Sequence, residues 1–130
     1  MRYLLDTVIF LWSMGPQEKL NKDARELLVN PQHEIYLSAA SSWEISLKIA
    51  IGKLELPEPA NRYIPGRLRT WGMQPLSITH SHALAVGELP PHHRDPFDRM
   101  LIAQARVENM ILLTADALFS KYDVQTVWCG

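Results

Sequence analysis

The chain is poor in cysteine, in excess charge of either sign and in long apolar runs. One cysteine, Cys129, stands in 130 residues, so no internal disulfide can form, which fits a reducing compartment. Nothing basic neighbours it, and it reads as a plain residue near the chain end rather than a nucleophile. Thirteen Lys and Arg against fourteen Asp and Glu leave a formal net charge of −1. Net charge therefore offers no basic footprint for nucleic acid. No uninterrupted apolar run approaches the roughly 18 residues that would span a bilayer. The opening resembles a secretion signal at first sight, but Asp6 interrupts it and no small-residue cleavage site follows in "SMGPQEK". Repeats, low-complexity segments and linkers are also missing. These absences describe a soluble, cytoplasmic protein with no membrane association.

What is present is ordinary globular material: 47% hydrophobic and 21% charged residues, with four Trp, four Tyr and three Phe. The length suits one domain, 1–130, around one core. Short apolar runs alternate with stretches of helical period. Strands are expected at 2–6, 35–39, 73–78, 110–116 and 124–128, the third at an edge because of Pro75. Helices are expected near 18–29, 40–51, 59–71, 79–87 and 96–108. The Pro-rich pieces "LPEPA" and "LPPHHRDP" punctuate helices within the domain. Continuous apolar strands separated by helices imply an α/β fold, a parallel sheet covered on both faces.

Ligands of open parallel sheets sit at the carboxyl ends of the strands. Asp6 ends the first strand, inside the almost wholly apolar "RYLLDTVIFLW", and Asp116 follows the fourth in "LLTAD". In "RDPFDRMLIAQA", Asp95 suits the N-cap, Pro96 the first helical position and Asp98 the third. Asp98 shares a face with Leu101, Ile102 and Ala105, while Arg99 and Arg106 point away. In "SAASSWEISLKIAIGKL" a cap at Ser38 or Ser41 precedes a helix whose face Ala40, Glu44, Leu47 and Ile51 is apolar except for Glu44. Four acids thus collect at one sheet edge. Clustered carboxylates repel one another and raise each other's pKa. A hard divalent cation removes that cost, and an all-oxygen donor set suits Mg2+ or Mn2+. Such a site drives displacement at phosphate.

Together "RYLLDTVIFLW", "SAASSWEISLKIAIGKLELP", "RDPFDRMLIAQA" and "LLTADALFSKYDV" resemble PIN-domain proteins, specifically VapC-like toxins of bacterial toxin–antitoxin pairs. The resemblance runs nearly the whole chain. It implies a three-layer α/β/α fold with a five-stranded parallel sheet ordered 3-2-1-4-5. It also implies Mg2+- or Mn2+-dependent endoribonuclease activity, an RNA substrate, a cognate antitoxin and a homodimer. The family's four acids map onto Asp6, Glu44, Asp98 and Asp116, as catalytic residues and metal ligands. Thr7 and Thr114 match its threonines, whose hydroxyls would bond a carboxylate or a metal water. Asp95 reads as a cap or supporting acid. Arg94, Arg99 and Lys48 are possible RNA contacts. Val8 stands where many relatives carry His, a departure that a carboxylate site tolerates.

Plainer readings stand beside these. Asp6 and Asp116 could only cap turns, Asp98 could only complement a helix dipole, and Glu44 could be a surface acid paired with Lys48. Asp123 reads as a turn residue. "HSH" and "HHR" lack zinc-finger partners, and their histidines read as solvated or at helix starts. Trp12 and Trp43 read as core or interface residues. The apolar and aromatic content of 59–73 reads equally as an interface groove for an antitoxin helix or second protomer and as ordinary helix packing. Two rival functions are a receiver-like signalling domain and a catalytically idle PIN-fold binding module. The first needs paired acids after strand one and a Lys after the last strand, where "VQTVWCG" has none.

Overall fold

The computed structural model describes residues 1–130. Five parallel strands form one sheet: β1 Arg2–Leu5, β2 Glu34–Ser38, β3 Gln74–Leu76, β4 Ile111–Thr114 and β5 Thr126–Trp128. Their order is β3-β2-β1-β4-β5, as the resemblance implied, and it departs from the 2-1-3-4-5 order of flavodoxin-like receivers. The central strands are buried on both sides, and successive side chains feed opposite cores. Tyr3, Leu5, Ile111 and Leu113 enter one apolar cluster; Leu4 and Leu112 enter the other. Fully burying each such leucine contributes roughly 1.5–3 kcal/mol.

Six helices cover the sheet: α1 Thr7–Met14, α2 Lys22–Val29, α3 Ala39–Ala50, α4 Ala60–Trp71, α5 His80–Val86 and α6 Pro96–Glu108. Helix α1 falls outside the expected helices. Its sequence, TVIFLWSM, is apolar almost all round, so no amphipathic stripe marks it. Ile9 and Phe10 are fully buried, and Val8, Leu11, Trp12 and Met14 pack partly on the same core. Helix α2 starts later than expected, because the Asn21 side chain accepts from the Ala24 N–H and sets the boundary there. A short 3₁₀ turn at Gln17–Lys19 precedes it. Helix α6 has the expected limits, capped by Asp95 and ended by Asn109 in the left-handed region at φ 55°.

One expected face is corrected. The buried stripe of α3 runs through Ala40, Ser41, Glu44 and Ile45, which turns Leu47 outward, and Ile51 lies past the last helical residue. Leu47 is 45% exposed and Ile51 64%. In the stretch 59–73, Tyr63, Ile64 and Met73 are buried in the core, the helix packing that was one of its two readings. No helix is long and apolar enough to cross a membrane.

Candidate metal centre

Each of the four acids reaches the carboxyl edge of the sheet by a different route. Asp6 occupies the single position between β1 and α1. Its backbone caps the helix in an extended conformation, but its side chain makes no capping bond. The carboxylate instead accepts from the Thr114 hydroxyl at 2.9 Å, and the residue is 6% exposed. Glu44 projects from the second turn of α3, and Asp98 from the first turn of α6. Asp116 caps the 3₁₀ turn Ala117–Lys121, accepting from the Leu118 N–H. All four line one cavity of about 310 Å³, together with Thr7, Val8, Leu11, Lys48 and Asp95. A larger hollow of about 470 Å³ lies at the opposite strand ends, lined by Arg106, Asn109 and Asp123 among others. It has no cluster of acids.

The site is electrostatically costly as it stands. Burial pushes the Asp98 carboxyl up to about 8, and Asp6, Asp95, Glu44 and Asp116 add repulsion. Burial likewise raises Asp6 to about 6, against hydrogen bonds from Thr114 and the Thr7 backbone that pull it down. Desolvation thus outweighs the mutual repulsion that the sequence suggested. Glu44 is 6% exposed. Its Oε2 accepts from Lys48 Nζ at 2.6 Å, while Oε1 is buried with no partner. That orphaned carboxylate oxygen, in a cavity shared with the carboxylates of Asp6, Asp95, Asp98 and Asp116, is a vacant donor that suits a hard cation. The residues fit such an ion.

Several expected roles change. Lys48 belongs to the cavity, but its ammonium is engaged by Glu44, a hydrogen bond that holds it charged above its usual range. Arg99 is not free for RNA: its guanidinium donates to the carbonyls of Val86, Leu89, Pro90 and His93 at 3.0–3.5 Å. Val86 closes α5 and the other three lie in the loop before α6, which has no ladder of its own. Arg94 is exposed, directly before the α6 cap. The Thr7 hydroxyl donates to Ser41 Oγ at 2.8 Å rather than to an acid. Thr114 does what was expected, and its oxygen also accepts from the Asp116 N–H, tying the first and fourth acids together. Asp95 is the cap of α6, accepting from Phe97 and Asp98 N–H groups.

The histidines differ from expectation. His82 and His93 are buried, not solvated. His82 does sit at the start of α5, where it completes a capping box with Thr79. His93 was missed as part of the site: its Nε2 lies 3.0 Å from Asp116 Oδ2 and 4.0 Å from Asp98 Oδ2. These three residues bring ligand atoms within 4.8 Å of one another. The available signal was the position of "HHR" directly before the α6 cap, once it is not weighed only as a zinc motif.

The comparisons agree with this architecture. Residues 3–125 match the family model described as the PIN domain, and the chain belongs to that family. A relative among characterised proteins is Ribonuclease VapC16 of Mycobacterium tuberculosis, 43% identical over 60 residues. That stretch is 46% of this chain and 43% of the relative, so the match spans less than half of either. Among solved structures, VapBC2 from Rickettsia felis, bound to a DNA fragment from its promoter, matches with a TM-score of 0.76 at 18% identity over 100% of both chains. VapBC-1 from nontypeable Haemophilus influenzae matches with a TM-score of 0.69 at 19% identity over 98% of both. FitAcB from Neisseria gonorrhoeae matches with a TM-score of 0.66 at 22% identity over 95% of both.

Proposed function

We propose that the protein is a divalent-metal-dependent endoribonuclease, the toxin of a toxin–antitoxin pair. The observation that carries this reading is the convergence of Asp6, Glu44, Asp98 and Asp116 on one cavity, with Glu44 Oε1 buried and unpartnered. Asp6, Glu44, Asp98 and Asp116 would hold Mg2+ or Mn2+. The bound ion supplies charge that activates water and stabilises the leaving oxygen at phosphate. The chain's own part is preorganisation. Thr114 fixes the Asp6 carboxylate, α3 holds Glu44 inward, and the α6 cap directs Asp98. Lys48, half-exposed beside Glu44, and the exposed Arg94 would supply positive charge to an approaching RNA backbone. A full set of inward acids argues against an idle binding module, and the strand order argues against a receiver.

The named relative is a ribonuclease and the structural neighbours are VapBC and FitAB assemblies. They support RNA as substrate and a cognate antitoxin as partner; a homodimer remains the family expectation. The test uses purified protein freed of any inhibitor, with defined tRNA and ribosomal RNA panels and Mg2+ or Mn2+. Discrete, metal-dependent cuts that vanish in Asp6→Asn are expected. No cleavage of any RNA by folded, metal-supplemented protein would overturn the nuclease reading. Co-expression with the protein encoded beside it should yield a stable, inactive complex.

A further inference from the structure

His93 is held on both ring nitrogens by polar neighbours. Its backbone N–H donates to the Tyr122 hydroxyl oxygen at 2.7 Å. The single hydroxyl hydrogen of Tyr122 must then point elsewhere, and His93 Nδ1, 3.2 Å away, is the acceptor in reach. With the Tyr122 hydroxyl donating to Nδ1, the ring hydrogen sits on Nε2. Nε2–H faces Asp116 Oδ2 at 3.0 Å. The ring itself has little freedom. It stacks on Tyr122 with centroids 5.4 Å apart and meets Phe119 edge-on at 4.9 Å. The backbone carrying it is held by Arg99, which donates to the carbonyls of residues 86, 89, 90 and 93.

We propose that His93 is a positioning residue: a directed chain, Tyr122 to His93 to Asp116, aims the fourth carboxylate into the cation site. The inference rests on the reading of the cavity as a divalent-cation site. Asp116 needs such help more than the other acids do. Its side chain is 38% exposed, and it projects from a 3₁₀ turn rather than a long helix. The Leu118 N–H takes Oδ1, and His93 takes Oδ2, so both oxygens are oriented while each keeps a lone pair for a cation. His93 thus acts through Asp116 rather than as a ligand.

The test measures Mn2+ binding by the full-length protein without RNA, following free Mn2+ by electron paramagnetic resonance. Thermal melting of each metal-free variant checks folding. Partners behind a ligand typically contribute 10–100-fold in affinity, so His93→Phe should weaken Mn2+ binding about tenfold. His93→Gln should restore most of it, because its amide nitrogen can donate from the place of Nε2. Tyr122→Phe should weaken binding a few-fold, since the hydrogen on the ring is no longer directed. Pulsed spectra of the Mn2+ complex should show no directly bound nitrogen. Wild-type affinity in folded His93→Phe, failure of folded His93→Gln to recover affinity, or nitrogen coordination to Mn2+ would each overturn the proposal. If His93→Phe does not fold, unchanged affinity in Tyr122→Phe overturns it and weakened affinity supports it. Wild-type protein that binds no Mn2+ instead removes the cation reading itself, and this inference with it.

Discussion

Two regions of the molecule bury polar groups, and they do so on opposite terms. At the α5–α6 junction, His82 is fully buried; its Nδ1 accepts from the Thr79 N–H at 3.0 Å, and its Nε2 meets Glu108 Oε2 at 2.8 Å. The one orphan there is the neutral amide oxygen of Gln104, a cost of about 1–3 kcal/mol that a fold can carry. At the carboxyl edge of the sheet the orphan is a carboxylate oxygen of Glu44, with four more acids lining the same cavity. Burial there is unfavourable in the isolated chain and favourable only with added positive charge. The first region stabilises the fold. The second destabilises it and is kept for what binds.

The comparison breaks most visibly if the costly region is neutralised. Asp6→Asn removes a charge from the cavity while keeping the shape and an acceptor for the Thr114 hydroxyl. RNA cleavage should fall on the order of 100- to 1,000-fold, as when a preorganised electrostatic group is lost. Metal-free stability should not fall with it. A pKa raised from 3.8 to about 6 corresponds to about 3 kcal/mol of destabilisation once the group ionises. The variant should therefore melt higher than wild type at pH 8 without metal. An Asp6→Asn protein that cleaves normally, or that melts lower at pH 8, contradicts the contrast between the regions.

The same logic fixes a pH dependence. A carboxyl whose folded pKa lies above its unfolded value binds protons more tightly when folded. Its stabilising effect is complete below about pH 3.8 and is lost as pH rises through the folded value. For Asp6 the loss is complete near pH 6 and for Asp98 near pH 8. The melting temperature of metal-free wild type, measured against Asp98→Asn, should drop across pH 4–8, and saturating Mg2+ at pH 8 should recover it. A flat difference between the two proteins would show that Asp98 ionises without cost.

The satisfied region should respond in the opposite sense. His82→Leu strands the Thr79 N–H and removes the capping box, at a cost of about 2–3 kcal/mol. Denaturant unfolding should detect that loss, while Mn2+ affinity of the folded fraction stays at the wild-type value. A variant as stable as wild type, or one with weakened Mn2+ binding, would erase the distinction.

Much of the costly region was legible from the sequence. A lone Asp6 in "RYLLDTVIFLW" and Asp98 heading an apolar stripe are visible because charge interrupts an apolar pattern. The parallel sheet follows from apolar runs, its order 3-2-1-4-5 only from the family resemblance. Residues that fail the same test were invisible. Helix α1 hides because it is apolar all round, with Ile9 and Phe10 fully buried. His93 and Tyr122 hide because their pairing joins positions 29 residues apart, and only tertiary structure reveals such a contact. Arg99 was taken for a surface cation because the four carbonyls it serves belong to the end of α5 and a loop without periodicity.

The smallest effect tests the face of α3 that was misassigned. Helical spacing put Leu47 with Ala40 and Glu44, which would make it a core residue whose truncation costs 2 kcal/mol or more. In the structure Ala40 is 1% exposed but Leu47 is 45% exposed, because the buried stripe follows Ser41 and Ile45 instead. Leu47→Gln should thus change unfolding free energy by no more than about 0.5 kcal/mol, read by urea titration of the dilute protein. Ile45→Ala on the same helix should cost about 2–5 kcal/mol, since Ile45 is fully buried. If the two costs came out equal, α3 would have to be rotated, and Glu44 would swing with it out of the cavity that it shares with Asp6, Asp98 and Asp116.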